Sequence, residues 1–365
     1  MNIIHTTFSG SKNKKLSASL CDKPLPPYTV VGGNERGGVA GLSAILLNRG
    51  ARYPRRSLFA ELGKAGFDYV VSVESSRENY DLDELSTSFP FVKFILLSEP
   101  LTVGCQINIA VSEIKSPLFF VLWNDLKFLY GGCAEKIAER LLLPFDKAAE
   151  EGAKRRLFKR LCTVPIFQTP EFETLPTASS PFLVKKMFDV MPALPEKEDA
   201  PSFYPYDAVG IYDRQFFLEI GGFDRDISSE YWQLLDFGFR AWLWGEEIRF
   251  TQFVHLRHEG LKKIEDTSRD ESYWRFFLKN LSPVLHFNTK TTGLYAHLPI
   301  KSFLVLLQSL KNLTNFTTAT HVPKIWRSPL DTLRYFRVCR AWVREHKTEW
   351  KTSAHALIQE WKTRQ

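Results

Sequence analysis

VGCQINIAVSEIKSPLFFVLWNDL, residues 103–126, is the stretch whose reading decides the fold. Its first part, CQINIAVSEI, is helix-like, and LFFVLW after it is an unbroken apolar run of the length of a buried strand. Asn124 and Asp125 end that run, and Val121, Leu122 and Trp123 before them cannot bind a cation. Asp125 is therefore either a ligand presented at a strand end or a turn residue that stops the strand.

The same alternation continues outward. Apolar runs YTVVGG (28–33), FDYVVSV (67–73) and FVKFILL (91–97) alternate with helix-like stretches such as RRSLFAELGKAG (55–66). Buried parallel strands joined by crossover helices produce this pattern, which predicts an α/β fold with a mostly parallel sheet flanked by helices. Residues 1–27 are polar, end in KPLPP and read as a flexible lead-in, so the ordered core should begin at Tyr28. Prolines crowd the span from Leu161 to Asp207, which reads as a long irregular loop facing a substrate. Helix signals return in RQFFLEIGGFD (214–224) and EYWQLLDFGFRAWLWG (230–245). The aromatic residues of the second stretch, Trp232 and Phe239 among them, are expected mostly in the core.

At 365 residues and 44% hydrophobic the chain can bury a large core. Its five cysteines are an odd number with no CxxC spacing, which points to reduced thiols and a cytoplasmic protein rather than a zinc site or disulfide framework. No stretch has the apolar length of a membrane span, and residues 1–20 lack a signal-peptide core. The formal charge of +7 is uneven: residues 289–365 hold 13 Lys and Arg against 4 Asp and Glu. That segment reads as a basic helical extension, with Arg334, Arg337, Arg340 and Arg344 on one stripe near Tyr335, Phe336 and Trp342. The stripe suits either a solvated helical face or an anionic membrane surface at the inner face, while no DNA- or RNA-binding motif is present and no nucleic-acid partner is expected.

Two blocks in order carry a resemblance. Residues 103–126 are similar to the central stretch of the family 2 glycosyltransferases: a glycine, a helix with an asparagine, an apolar strand and Asp-x-Asp. With Asn108 on the family's asparagine, Asp125 takes the second Asp and Trp123 the first. Residues 206–250 resemble the later segment, where Gly221, Gly222, Phe223 and Asp224 precede an acidic helix holding Asp236, Phe237 and Arg240, followed by Gly245. The resemblance covers residues 28–288 and implies a GT-A (nucleotide-diphospho-sugar transferase) fold. The implied activity moves a sugar from a nucleotide-diphosphate sugar to a glycan, lipid-linked or other hydroxyl acceptor, with inversion and Mn²⁺ or Mg²⁺ assistance.

The resemblance also assigns roles. Asp125 and His258, in FVHLRHEG (253–260) beside the less well matched His255, would hold the metal, with Asn124 adding a neutral oxygen. Glu74 stands where an acidic strand end contacts the nucleotide base, and Asn34 where the first strand's Asn-Arg turn would lie. The family's Glu-Asp base is incomplete: Leu234 replaces the Glu, which leaves Asp236, or Glu230 one turn before Leu234, to deprotonate the acceptor. Asp236 reads equally well as the i,i+4 partner of Arg240. Two rivals stay open. A nucleotidyltransferase would need a basic glycine loop, of which GGNERGG (32–38) supplies only Arg36. A non-catalytic binding protein for nucleotide sugar or glycan, on a decayed transferase fold, is favoured by Trp123 and Leu234, where chemistry would want carboxylates.

Overall fold

The run Leu118–Trp123 is buried at every position, as a central parallel strand requires, and the sheet is built around it. The computed structural model describes residues 25–49, 55–74, 81–150, 159–184, 187–260, 265–268, 270–276 and 280. Residues 1–24 of the polar lead-in and the basic segment 289–365 with its arginine stripe lie outside the described residues.

In chain order the elements are β1 (Tyr28–Gly32), β2 (Leu42–Leu47), α1 (Arg55–Lys64), β3 (Val70–Glu74), α2 (Leu82–Ser88), β4 (Val92–Leu97) and α3 (Val103–Ser112). Then come β5 (Leu118–Trp123), β6 (Leu126–Tyr130), α4 (Ala134–Glu150), β7 (Lys159–Gln168), β8 (Ala178–Val184) and β9 (Met187–Ala193). A 3-10 turn at Tyr206–Ala208 leads into β10 (Gly210–Asp213), α5 (Arg214–Glu219), α6 (Glu230–Trp244), β11 (Glu246–His258) and α7 (Glu271–Phe276).

Nine strands form one mixed sheet in the order β1-β4-β3-β2-β5-β10-β7-β11-β6, and β8 pairs with β9 alone. Strands β4, β3, β2 and β5 are mutually parallel, and β7 is parallel to β11. The strands β1, β10 and β6 are antiparallel to their neighbours. The expected mostly parallel α/β sheet is the one found. Two compact units divide the chain: residues up to Ser180 with Val190–Asp266, which hold the nine-stranded sheet, and Pro181–Asp189 with the residues from Thr267 onward.

Two expectations change. The run at Tyr28 is an edge strand, antiparallel to β4, and the strand beside β5 is LSAILL, Leu42–Leu47, buried on both faces. The proline-rich span is not irregular throughout, because it contains β8, β9 and most of β7. Pro165 is accommodated where the β7–β11 register shifts, between Thr251 and His255, a place where a missing N–H costs least.

Behind β5 and β10 lies an aromatic core. The rings of Phe119 and Tyr212 stack with centroids 5.0 Å apart, and Phe223 stacks on Phe237 at 4.4 Å. Trp232, Phe239 and Trp242 of α6 are buried too. Each fully buried phenylalanine contributes about 1.5–3 kcal/mol. The left-handed Gly245 (φ 76°) ends α6 and allows the chain to enter β11.

Polar groups bind α3 and α6 to the turn between them. Asn108 donates to the Phe223 carbonyl (2.8 Å) and accepts from the Phe223 amide (3.0 Å). Gln233 accepts from the Gly104 amide (2.9 Å) and donates to the Asp224 carbonyl (2.7 Å). Arg240, fully buried, donates to Asp236 (2.9 Å) and to the carbonyls of Ile220 (2.6 Å) and Gly222 (2.7 Å). The Gly-Gly-Phe-Asp turn is thus fastened by side chains from both helices, and the close approach explains Gly222, where a Cβ would stand 2.4 Å from Asn108 Oδ1.

Asn108→Ala strips two buried backbone groups of their partner, so we expect a loss of roughly 2–4 kcal/mol in unfolding free energy, measured by denaturant titration. An unchanged midpoint would show that the turn is held without Asn108.

Candidate functional site

Strand order reverses between β2 and β5: the chain steps from β2 to β3 to β4 on one side, then crosses to β5 on the other. In open α/β sheets a crevice for ligands opens outside the carboxyl ends at such a point. The two strand ends here are Leu47-Asn48-Arg49 and Trp123-Asn124-Asp125. They are tied together, the Asn124 amide donating to the Leu47 carbonyl (2.9 Å) and the Arg49 amide to Asn124 Oδ1 (3.1 Å). Asn48 Nδ2 adds a bond to the Val73 carbonyl of β3 (2.8 Å), so three adjacent strand ends are fixed.

Arg49 is the hub of the site. Its Nε and Nη2 fork onto Asp125 Oδ2 and Oδ1 at 2.9 and 3.2 Å. Nη1 lies 2.6 Å from Asp207 Oδ2, Nη2 is 3.1 Å from His258 Nε2, and the guanidinium stands 4.3 Å over the Trp123 ring. Burial opposes the Arg49 charge, but Asp207 and Asp125 outweigh it and raise the pKa above its ordinary value. Asp125 and Asp207 are almost fully buried, while the Arg49 side chain is 20% exposed, so Arg49 is the member of the three with solvent contact.

His258 is oriented by its partners. A guanidinium cannot accept, so Nε2 is the acceptor from Arg49 and Nδ1 carries the proton, donating to the Gly260 carbonyl at 3.1 Å. Its Nε2 is 3.6 Å from Asp125 Oδ2, a contact between two acceptors bridged by Arg49. The bulge in the β11–β6 ladder between His255 and Leu256 separates the two histidines. His255 lies against the Tyr130 ring, 4.0 Å between centroids, and its pKa is lowered by burial.

Asp207 is held in the left-handed region (φ 55°, ψ 25°), and Ala208 follows at φ 58°. Non-glycine residues adopt this conformation only when their surroundings impose it. Here the Trp123 indole N–H donates to the Asp207 carbonyl (2.9 Å) and Tyr212 to the Ala208 carbonyl (2.7 Å). Tyr206 beside them has its pKa pushed up to about 12, by burial first and then by Asp207 and Glu265, against Arg49 and with a smaller push from Glu230. Tyr204 donates to Glu265 (3.1 Å), and an aromatic and acidic wall thus adjoins the Arg49 cluster.

Of the residues named from sequence, Asn124, Asp125 and His258 meet at this crevice. Glu74 ends β3 on the same side of the sheet, but it is fully buried, accepts from Ser72 (2.6 Å) and pairs with Arg55 (2.9 Å). Asn34 does not join them. Because β1 runs antiparallel to β4 with Gly32 opposite Lys93, the loop after it opens where the parallel strands begin, and there Arg36 pairs with the buried Asp68 (2.6 Å). Asp236 is the fully buried partner of Arg240, as the i,i+4 reading has it. Glu230 lies half-buried in the first turn of α6, within electrostatic reach of Tyr206. Arg49 and Asp207 were missed. The signal for Arg49 is the run LSAILL followed by Asn-Arg-Gly, whereas Asp207 reaches the site through tertiary packing alone.

A divalent cation would need several oxygen ligands near Asp125. Among the described residues no group of three or more His, Cys, Asp or Glu is placed to hold a metal ion. Both Asp125 oxygens and the His258 lone pair are engaged by Arg49, and Trp123 offers no oxygen at the first position of the pattern. This donor set does not fit the metal.

No protein-family model matches the chain, and no curated protein does. Solved structures similar to it include GalNAc-T7 with UDP, GalNAc and Mn²⁺, at 14% identity and a TM-score of 0.44 over 65% of this chain and 47% of that one. TarS 1-349 of S. aureus follows at 12% identity and 0.38, over 89% and 92%. The mannosyltransferase PcManGT from Pyrobaculum calidifontis, in complex with GDP-Man and Mn²⁺, stands at 10% and 0.40, over 82% and 86%. The chain spans about half the length of the first of these. Likenesses this distant leave the functional reading to the residues of the site.

Removing Arg49 leaves two buried carboxylates without their cation, so Arg49→Met should cost about 3–5 kcal/mol. Adding Asp125→Asn should recover part of that loss in a double-mutant cycle followed by chemical denaturation. Strictly additive effects would mean that the fork carries no coupling energy.

Proposed function

We propose that the chain is a glycosyltransferase of the GT-A type that takes a nucleotide-diphosphate sugar in the crevice between β2 and β5. The observation that carries this reading is the convergence of Arg49, Asp125, Asp207 and His258, from four separate segments, at the carboxyl ends of the strands where the order reverses. The resemblance of residues 103–126 and 206–250 to family 2 glycosyltransferases supports it, since Asp125 is the strand-end carboxylate of that pattern.

In this reading the acceptor oxygen attacks the anomeric carbon as the bond to the diphosphate breaks. The electron pair leaves on the phosphate oxygen, and the acceptor proton passes to a carboxylate. A single displacement inverts the anomeric centre. Glu230 is the carboxylate for that proton, since Asp236 is spent on Arg240. Arg49 keeps solvent contact and carries a charge that favours the departing diphosphate. Asn48 and Asn124 hold the strand ends and so position Arg49. The acceptor is a glycan, a lipid-linked sugar or another hydroxyl compound. Cytoplasmic placement at an anionic membrane surface goes with the basic segment 289–365. Among the described residues no helix is long and apolar enough to cross a membrane.

The competing reading, a binding protein for nucleotide sugar or glycan, shares the crevice but performs no transfer. A thermal-shift screen of UDP, GDP, dTDP and CMP with their sugar conjugates separates the cases. A ligand at 100 times its Kd adds about 2.7 kcal/mol to the native state, so one base should raise Tm by several degrees. The stabilising sugar nucleotide should then be slowly hydrolysed by wild type, and at least tenfold more slowly by Glu230→Gln. Stabilisation without turnover would favour the binding protein, and no stabilisation by any of them would leave Asp125 as a strand-ending turn residue.

A further inference from the structure

We infer that Arg49 takes the place of a divalent cation in this site, so that diphosphate binding here is independent of metal. The inference rests on the nucleotide-sugar reading above and names the group that would meet the diphosphate.

Four observations converge on it. First, the guanidinium lies where a cation bound to Asp125 and His258 would have to lie: it spans both carboxylate oxygens and approaches His258 Nε2 at 3.1 Å. A metal ion at Asp125 would have to expel it from between two buried carboxylates. Second, Trp123 stands where the resemblance puts a carboxylate, and its ring faces the guanidinium at 4.3 Å. An indole face attracts a planar, weakly hydrated cation and offers nothing to a small hydrated divalent ion, so a tryptophan beside an arginine is a matched pair. Third, that ring is fixed, because its N–H is bonded to the Asp207 carbonyl (2.9 Å), which sets the same strained turn that brings the Asp207 carboxylate to Arg49. The one departure from the family pattern here, the lost carboxylate at Trp123, is thereby matched to the arginine at the neighbouring strand end.

Fourth, Arg49 is the member of the cluster that keeps solvent contact. Asp125 takes Nε and Nη2 and Asp207 takes Nη1, yet the Arg49 side chain stays 20% exposed, whereas both carboxylates are almost fully buried. A phosphate oxygen arriving at these strand ends would meet a guanidinium already held in place. A guanidinium carries half the charge of Mn²⁺, but it is permanently bound and needs no reorganisation when the diphosphate departs.

The test is calorimetric titration of wild type with UDP, GDP and dTDP in EDTA and again with MnCl₂, beside an electron paramagnetic resonance titration of Mn²⁺ into the protein. The expected result is one diphosphate binding with the same Kd, within about twofold, in both buffers, and no loss of the free Mn²⁺ signal on adding protein. Arg49→Ala should weaken that diphosphate in EDTA by about tenfold or more, the loss of one or more charge-assisted hydrogen bonds. The same substitution frees Asp125, Asp207 and His258, and should create a Mn²⁺ site visible in the resonance titration. Binding of diphosphate to wild type only with Mn²⁺ would overturn the inference and leave the nucleotide-sugar reading standing. No diphosphate bound in either buffer would overturn both. The wild-type titrations decide the matter even where Arg49→Ala fails to fold.

Discussion

Everything about this site depends on the pairing of Leu42–Leu47 with Leu118–Trp123. The six-residue parallel ladder places Leu47 opposite Trp123, so the residues just beyond each strand, 76 positions apart in sequence for Arg49 and Asp125, emerge side by side. Both strands are buried on both faces, which sets the register by side-chain packing as well as by hydrogen bonds. A slip of one residue would turn Arg49 away from Asp125. The short links through Asn48 and Asn124 make the strand ends as rigid as the strands, and rigid placement is what a fork on a carboxylate demands.

A second constraint is that a buried charge must be paired. Arg240 and Asp236 are both fully buried, and Arg240 Nη1 and Nη2 donate to the Ile220 and Gly222 carbonyls. The knot shows what the later block of the family-like pattern is for. Gly222, Phe223, Asp236 and Arg240 hold the turn that joins α5 to α6, and Asn108 from the earlier block closes it from the other side. Much of the resemblance is therefore architecture.

The residues around Arg49 form a different arrangement from the one the pattern implies. Two carboxylates and an imidazole gather around one guanidinium, which stands over an indole face. The strain at Asp207 and Ala208 is sustained by hydrogen bonds from two buried side chains, Trp123 beside Arg49 and Tyr212 in the aromatic core. Packing of the hydrophobic interior and placement of the polar site are thus the same event, since the side chains that fill the one also aim the other.

By itself the sequence determined the fold class, because unbroken apolar runs alternating with helical stretches are the direct consequence of burying a parallel sheet on both faces. It also put Asp125 at the end of an apolar run and offered Arg240 as the i,i+4 partner of Asp236, while the resemblance, and not the spacing, singled out His258. What only the tertiary structure decided is which strand leads to the site and what stands between its carboxylates. The glycine-rich run at Tyr28 and the run at Leu42 are both apolar and strand-like, and nothing local says that one lies antiparallel at the edge and the other at the centre. Asp207 carries no signal at all, since its place depends on β10 packing antiparallel to β5 and on an indole that holds its carbonyl. Arg49 reads as an ordinary loop residue until both partners arrive, because the sequence sets which charges a chain has, whereas distances across a sheet set which of them meet.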